Sequence, residues 1–287
     1  MATYRKQHYL PAVYLQNFAS DQGKPSRRSR IWRFNGLKQT HVSVESQCFE
    51  NYGYSRSNPS GAESVFHGME GMYGDCMKKI RAGLTGTKRE YFGLILMMFD
   101  LHLRNAAYKN LTGLEGIEAY RIRLGCFKRE ILLEDRKEEP SDEELLHNLE
   151  ARWRVSLISP RPGYAFFTSD NPSMWFCTPQ TKQLAFVILP VLPNLTAVAF
   201  DKRLVDVING MTIERDEEIL NVNQSFQARR CLYSWQALPQ ELQKEIGAKM
   251  AERRPRFGAV ERTKWNVNLL CLHDDSALSF LRFSHAR

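Results

Sequence analysis

The sequence lacks the features that mark several large classes of protein. It has no uninterrupted apolar run near the roughly 18 residues that cross a bilayer, and the longest run, 91–99, is broken at Asp100. Its polar amino terminus has no apolar segment of the kind found in secretory signals. Walker A, G-x-G-x-x-G, G-x-S-x-G and H-E-x-x-H motifs are absent too. We therefore expect no membrane contact and no nucleotide cofactor.

Cysteine is sparse and scattered along the chain. The six cysteines form no C-x-x-C pair and have no companion histidines at the spacing of zinc ligands. In a chain of 287 residues this pattern predicts reduced, mostly buried thiols, a cytoplasmic location and no zinc site. With 43% hydrophobic residues, the chain is apolar enough to build a substantial core.

Acidic residues are almost missing from the first 38 positions. This segment holds eight Lys and Arg residues against one acid, Asp21, and a second basic cluster covers 249–264. Basic clusters of this kind can follow a phosphate backbone, so we expect contact with RNA or DNA. A solvated hairpin tip at 23–29 is the alternative explanation of the first cluster. The arginines expected to contact nucleic acid are Arg27, Arg28, Arg30, Arg253 and Arg254.

Local patterns in the first part of the chain predict a hairpin and two helices. Residues 31–34 and 41–44 have strand patterns on either side of an Asn-Gly turn signal. Apolar residues three and four apart predict an amphipathic helix over 62–82. Thr87 has the spacing of a capping box at the start of a largely apolar helix over 88–111.

The remaining segments predict an α+β fold with an antiparallel or mixed sheet. Further helices are expected at 114–133, from 141, at 215–228 and at 239–253. Further strands are expected at 155–158, 164–168, 186–189, 195–200, 231–235 and 267–272. We expect a single domain over 1–287. In it, a helical region, 61–150, packs against the strand-rich regions 1–60 and 151–287.

The segment 6–18 is the first candidate for a functional site. Pro11 favours extended backbone before it and a helical turn after it, which places His8 on a short extended segment. Tyr14 and Phe18 belong to an apolar stripe that should face the core and fix the histidine. An imidazole with a pKa of about 6.5 suits proton transfer at neutral pH, and Tyr9 could contact a substrate beside it. A satisfied structural histidine is the alternative.

A second candidate follows an apolar run at Thr168-Ser169-Asp170-Asn171-Pro172. Asp170 would serve as a metal ligand or a general base, with Ser169 and Asn171 as hydrogen-bonding neighbours that contact the substrate. The alternative is a turn in which side-chain oxygens bond nearby backbone N–H groups.

Two glutamates on the predicted helix 62–82 are a candidate half of a metal site. Glu63 and Glu70 are two helical turns apart and so share one face. Together with Asp170 they could bind a divalent cation such as Mg²⁺ or Mn²⁺. A solvated helix face is the alternative explanation.

Arg104 is the third candidate, at the end of a largely apolar stretch. Asp100, His102 and Arg104 are two positions apart, so their side chains diverge on a regular helix. A charge buried in such a helix must be paired, because an isolated buried charge is costly. We expect Arg104 to face inward, toward a phosphate or a carboxylate such as that of Asp170.

Seven segments occur in a characteristic order: 6–18, 31–34, 63–70, 101–104, 166–172, 189–193 and 220–234. In content and order they resemble an uncharacterised bacterial family, the one filed as domain of unknown function 4238. The chain departs from that pattern at 192–194, where a basic residue and a serine are usual. Because the family has no assigned activity, the resemblance implies a common fold and a common site without a reaction.

The preferred functional hypothesis is an effector that acts on nucleic acid, as a divalent-metal-dependent nuclease or phosphodiesterase or a toxin-like protein of phage defence. In it, His8, Asp170 and Arg104 are the catalytic residues. One alternative is a non-catalytic module that binds an anion or a nucleotide through Arg104 and the 168–171 turn. Another is an inhibitor or other protein-binding protein, in which these polar residues only anchor the amino terminus. The sequence predicts no oligomeric state.

Overall fold

The computed structural model describes most of the chain. The described residues are 6–21, 26, 28–51, 53–104, 116–128, 142–178, 183–207, 216–252, 259–262, 268–271 and 281–283. Their α-helices are α1 (Ala12–Leu15), α2 (Pro59–Arg81), α3 (Lys88–Leu103), α4 (Gly116–Phe127), α5 (Asp142–Arg152), α6 (Asp216–Gln227) and α7 (Gln240–Glu252). The predicted α+β class is confirmed.

The strands belong to two larger sheets and two short pairs. They are β1 (Lys6–His8), β2 (Arg30–Phe34), β3 (Gln39–Ser43), β4 (Phe49–Asn51), β5 (Trp153–Ile158), β6 (Thr168–Ser169), β7 (Met174–Cys177), β8 (Leu184–Leu192), β9 (Leu195–Asp201), β10 (Val205–Val207), β11 (Leu232–Ser234), β12 (Ala259–Arg262), β13 (Asn268–Cys271) and β14 (Leu281–Phe283). One sheet has the order β12-β13-β7-β8-β9-β5 and the other the order β3-β2-β11-β6. The two pairs are β1-β4 and β10-β14.

Strand direction agrees with the expected mixed sheet. In the larger sheet, β13 and β7 are parallel and the other neighbours are antiparallel. The smaller sheet is antiparallel throughout, and its β2-β3 hairpin pairs Arg30 with Ser43 and Phe34 with Gln39, as the turn signal predicted. The short β1 pairs antiparallel with β4, which places His8 opposite Phe49.

Side-chain caps fix the starts of two helices: α3 begins at Lys88 as predicted, whereas α2 begins at Pro59, three residues before the predicted start at 62. The Asn58 side chain accepts a hydrogen bond from Gly61 N at 3.0 Å and begins α2. Thr87 and Glu90 form the capping box of α3, in which each side chain accepts a hydrogen bond from the other residue's backbone N–H. Helix α3 ends at Leu103 within the described residues, whereas the pattern predicted it to run to 111, and 105–111 lie outside them.

One predicted strand is shorter than expected. Of the run 164–168, Thr168 alone belongs to β6, because the preceding backbone bonds lie outside any strand ladder. Phe166 N bonds the carbonyl of Pro193 at 2.7 Å, and Phe167 N bonds the side chain of Asn221 at 3.1 Å. Gly163, with φ +86°, turns the chain immediately before this run.

The helical region covers one face of the larger sheet, as the sequence predicted. Trp175 of β7 packs edge-on against Phe99 of α3 and is stacked against His102. The hydroxyl of Ser173 bonds the carbonyl of Met98, which fixes the helix to the strand. The amino-terminal stripe is buried as well, since Tyr14 and Phe18 are inaccessible. The Tyr14 hydroxyl is 2.6 Å from that of Thr168 and donates to the carbonyl of Pro190 at 2.7 Å.

Candidate functional site

A cavity of about 810 Å³ lies between the amino-terminal segment and helix α2. Its ionisable side chains come from three parts of the chain: β1, the turn that follows β3, and α2. We call it the polar cavity, and these side chains are Lys6, His8, Glu45, Glu63, His67 and Glu70. Of the predicted site residues, it therefore brings together His8, Glu63 and Glu70.

Strand alternation aims Lys6 and His8 to the same side. Side chains two apart on a strand share a face, and Gln7 between them points into the core. The Gln7 side chain accepts from Tyr54 N at 2.5 Å and from Ser55 N at 3.1 Å. On β4, the ring of Phe49 is 4.7 Å from the Lys6 ammonium and 5.7 Å from the His8 ring. The short strand is thus held from both sides.

The α2 side of the cavity follows from helical spacing. Glu63, His67 and Glu70 are at positions i, i+4 and i+7, which lie on one helix face. The core-facing residues of the same helix include Phe66 and Tyr73, which are buried. The core therefore fixes the rotation of α2 and with it the direction of the three polar side chains.

Arg104 is not exposed to the polar cavity, but it holds one of the side chains that line it. Its guanidinium is fully buried and pairs with Asp100 through Nε at 2.7 Å and with Glu70 through Nη1 at 2.9 Å. Tyr120 donates to the other oxygen of Asp100 at 2.8 Å, and the guanidinium lies 4.6 Å from the Phe66 ring centroid. Glu70 is 29% exposed and so connects this buried network to the polar cavity.

The carboxylate partners of Arg104 correct one expectation. Among the described residues they are Asp100 and Glu70, and the anticipated pair with Asp170 is not formed. Burial alone would lower the pKa of Arg104, but the two carboxylates hold it above its usual value, so the guanidinium stays charged. His102, which diverges on α3, instead bonds the carbonyl of Ser173 at 3.0 Å.

The 168–171 turn is buried and anchored by α6. The Ser169 hydroxyl donates to Gln224 Oε1 at 2.9 Å, and the Gln224 amide donates to the carbonyl of Pro172. Asn171 donates to the carbonyl of Gln227 at 3.4 Å. These contacts use most of the turn's side-chain polar groups to fix the backbone.

Asp170 lies at the centre of that turn with both oxygens in use. They accept hydrogen bonds from the backbone N–H groups of Arg229 at 2.8 Å and Arg230 at 2.9 Å. Burial raises the pKa of Asp170 to about 6, although the backbone donors oppose the shift. Asp170 in turn contributes to the raised pKa of Tyr9, a buried residue whose hydroxyl bonds Cys48.

His8 lines the polar cavity, whereas Asp170 lies in the buried 168–171 turn. Asp170 is not among the described residues that line the polar cavity, and neither are Tyr9, Ser169 and Asn171. The reason is again alternation: His8 faces the cavity, whereas Tyr9, the next residue of the extended segment, faces the buried side near Asp170. The roles given to the two residues in one site stay a prediction.

The basic residues at the start of β2 lie near one wall of the polar cavity. Arg28 and Arg30 are exposed, and Ser29 O accepts from Val44 N at 2.9 Å in the turn that carries Glu45. Both arginines thus lie at the end of the hairpin that is closest to Glu45. Arg27, Arg253 and Arg254 lie outside the described residues.

Three ionisable residues of the polar cavity were not among the predicted site residues: Lys6, Glu45 and His67. The signals for two of them were present. Lys6 is two positions from His8 on an extended segment, and His67 is one turn from Glu63 on the same helix face. No local pattern identifies Glu45, which reaches the cavity because the turn at 44–46, after β3, packs against α1.

Two absences among the described residues bear on metals and membranes. They contain no group of three or more His, Cys, Asp and Glu side chains arranged to hold a metal ion. None of their helices is long and apolar enough to cross a membrane.

Comparisons with known proteins give a family but no activity. No curated protein and no solved structure matches the chain. The model of one family, described as Protein of unknown function (DUF4238), matches residues 6–234. That match includes β1, the polar cavity and the 168–171 turn, and it ends with β11. The chain therefore belongs to this family of proteins of unknown function.

Proposed function

We propose that the chain is an enzyme that acts on nucleic acid and cleaves phosphodiester bonds at the polar cavity. The observation that carries this proposal is the composition of the cavity. Two imidazoles, three carboxylates and one ammonium converge there from segments up to 64 residues apart. Such groups can transfer protons, hold a cation and neutralise a phosphate, which are the requirements of phosphodiester hydrolysis.

The charge of the cavity favours a bound cation. Three carboxylates outweigh the single ammonium of Lys6 when the histidines are neutral. Mg²⁺ and Mn²⁺ suit such a cavity because Mg²⁺ in particular is often held by only one or two carboxylates and keeps several waters. Glu63 and Glu70 are the residues that would hold it. A bound Mg²⁺ would supply Lewis acidity and neutralise charge on the transferred phosphate.

The protein's own side chains have separate tasks in this proposal. His8, fixed by β1 and by the ring of Phe49, would transfer the proton of the attacking water or of the leaving oxygen. Lys6 would contact the phosphate. Arg104 would act indirectly, because it holds the Glu70 carboxylate in place by a 2.9 Å ion pair.

The exposed arginines would guide the substrate to the cavity. Arg28 and Arg30 are near the Glu45 wall, so a nucleic-acid backbone held there would enter from that side. A cytoplasmic location and a toxin-like role in phage defence belong to the same proposal. The free thiols of Cys48, Cys76 and Cys231 support the former.

The anion-binding alternative finds less support in the site. It assigns the ligand to Arg104 and the 168–171 turn, but Arg104 is inaccessible and already paired with two carboxylates. Asp170 likewise has both oxygens engaged by backbone donors. Binding without turnover is therefore kept as an outcome of the test.

The test is a cleavage assay on labelled single- and double-stranded RNA and DNA, with Mg²⁺, with Mn²⁺ and with EDTA. We expect metal-dependent cleavage of at least one substrate. His8→Gln should lower the rate at least about 100-fold, in line with the usual contribution of a proton-transfer group. Glu63→Gln, which removes a proposed cation ligand, should lower the rate and raise the Mg²⁺ concentration needed for cleavage.

Two matched variants control for general effects. His147→Gln changes an exposed histidine on α5, and Asp75→Asn changes a 65% exposed carboxylate on the same helix as Glu63. Both should retain the full rate. Cleavage that is absent from every substrate, or that is equal in His8→Gln and His147→Gln, would reject the proposal. Retained binding without cleavage would favour the non-catalytic alternative.

A further inference from the structure

The β2-β3 hairpin carries an aromatic pair close to the two exposed arginines, Arg28 and Arg30. Trp32 and His41 lie opposite each other on the two strands. Their rings are stacked, with centroids 4.7 Å apart and an angle of 19° between the planes. Both side chains are half-buried, so the pair is not sealed in the core. We call this pair of residues the hairpin stack.

Strand alternation places Arg30 on the same face of the hairpin as the hairpin stack. Arg30 and Trp32 are two positions apart on β2, about 7 Å along a strand, whereas Ile31 between them is fully buried in the core. The Arg30 guanidinium donates to the carbonyl of His41, which keeps its charge beside the two rings. The far end of this face is covered, because Phe34 packs in an apolar cluster with residues of α7.

The segment that carries the hairpin stack is basic. From 27 to 44 the sequence has five basic residues and no acidic one. The acid that precedes this segment, Asp21, accepts a hydrogen bond from the Ser29 hydroxyl at 2.8 Å. Burial and the charge of Arg30 lower the pKa of His41, so its imidazole is largely neutral at pH 7 and offers a ring rather than a charge. Accessible aromatic rings on a basic surface are the combination with which proteins bind single-stranded nucleic acid.

We propose that the hairpin stack binds an unpaired base of a single-stranded nucleic acid, with Arg28 and Arg30 on the neighbouring phosphates. This inference rests on the proposed function, because it names the form of nucleic acid that the polar cavity receives. Bases in a duplex are paired and stacked on each other, whereas those of a single strand can stack on protein rings. Both arginines lie at the end of the hairpin closest to Glu45, so a strand bound there leads to the polar cavity.

The test compares three labelled ligands of equal length by fluorescence anisotropy at one salt concentration. They are a single strand, the duplex of the same sequence, and a strand of abasic residues, which keeps the phosphates but has no bases. The measurements are made in EDTA, so binding is observed without metal-dependent cleavage. We expect the single strand to bind about tenfold more tightly than the abasic strand, and more tightly than the duplex, in line with the usual effect of stacking one base on an aromatic ring.

The variants separate stacking from charge and from folding. Trp32→Leu removes one ring of the hairpin stack, so its affinity for the single strand should fall about tenfold, to that for the abasic strand. Its affinity for the duplex and the abasic strand should not change, which also shows that the variant is folded. Trp32→Phe keeps a ring and should retain most of the affinity for the single strand. Tyr164→Leu, which changes a 45% exposed aromatic residue outside the hairpin, is the matched control and should bind as the unaltered protein does.

The outcomes separate this inference from the proposed function. Equal affinity of the unaltered protein for the single strand and the abasic strand would overturn the inference, and so would a single-strand affinity that Trp32→Leu leaves unchanged. No binding of any ligand in EDTA would overturn it as well, while cleavage is judged separately in Mg²⁺ or Mn²⁺. Single-strand binding that depends on Trp32, without cleavage in either metal, would support the hairpin stack and reject the proposed enzyme.

Discussion

The polar cavity and the 168–171 turn contain similar residue types but differ in what those residues contact. In the turn, both oxygens of Asp170 accept backbone hydrogen bonds, and the residue is 3% exposed. In the cavity, Glu70 is held on one side by Arg104 and remains 29% exposed on the other. A carboxylate fixed on one side and accessible on the other can bind a ligand without rearrangement. The turn stabilises the fold; the cavity is the better candidate for chemistry.

The largest expected effect is on the free energy of unfolding, when the buried ion pairs of Arg104 with Asp100 and Glu70 are broken. Arg104→Met leaves Asp100 and Glu70 without their cation, and breaking a buried pair costs about 3–5 kcal/mol. We expect a loss of this size in the free energy of unfolding, measured by urea denaturation. Arg89→Met, at an exposed site on the same helix, is the control and should be neutral. Equal stability of the two variants would mean that Arg104 does not support the cavity.

The second prediction concerns the pH dependence that Asp170, in the 168–171 turn, gives to the free energy of unfolding. The pKa of Asp170 is about 6 in the folded chain and about 3.9 in the unfolded chain, so the folded state binds the proton more tightly. Ionisation of Asp170 should therefore lower the free energy of unfolding as pH rises, by about 2 kcal/mol between pH 4 and pH 7. The measurement is the difference in stability between the unaltered chain and Asp170→Asn at each pH. A difference that is constant with pH would contradict the assignment.

The third prediction tests whether the turn is structural. Gln224→Ala removes the acceptor of the Ser169 hydroxyl and the donor to Pro172 O, so buried polar groups lose their partners. We expect a stability loss of about 1–2 kcal/mol and no loss of cleavage by the folded protein. Gln240→Ala, at an exposed position, should change neither property. If Gln224→Ala lost cleavage without losing stability, the turn would have to take part in catalysis.

The smallest expected effect on stability is at Arg28 and Arg30, the exposed arginines near the polar cavity. Arg28→Gln combined with Arg30→Gln changes exposed residues, so the unfolding midpoint should hardly move. Nucleic-acid affinity should fall, and the salt dependence of log K should flatten by about one to two units. Arg121→Gln, exposed on α4, is the control. An unchanged salt dependence would exclude Arg28 and Arg30 from the substrate path.

Local patterns predicted much of the secondary structure. The β2-β3 hairpin, the α3 capping box and the buried amino-terminal stripe each depend on residues close in sequence, and each was found as expected. The prediction of a strand over 164–168 was wrong for most of that run. Its backbone partners, Pro193 and Asn221, are distant in sequence, and no local pattern reveals them.

The candidate site likewise combines features that local sequence predicts with one that depends on distant packing. Alternation in β1 and helical spacing in α2 place Lys6 and His8 on one face and Glu63 and Glu70 on another, and both can be read from the chain alone. That these two faces enclose one cavity could not be predicted, because it depends on how α1 packs against α2.

The sequence by itself determined the family, the α+β class and the positions of most helices and strands, because these depend on short-range spacing and on recurring segments. Only the tertiary structure decided that Arg104 pairs with Asp100 and Glu70, and that both oxygens of Asp170 bond the backbone at 229–230. A buried charge must be paired, but which partner it meets is fixed by long-range packing.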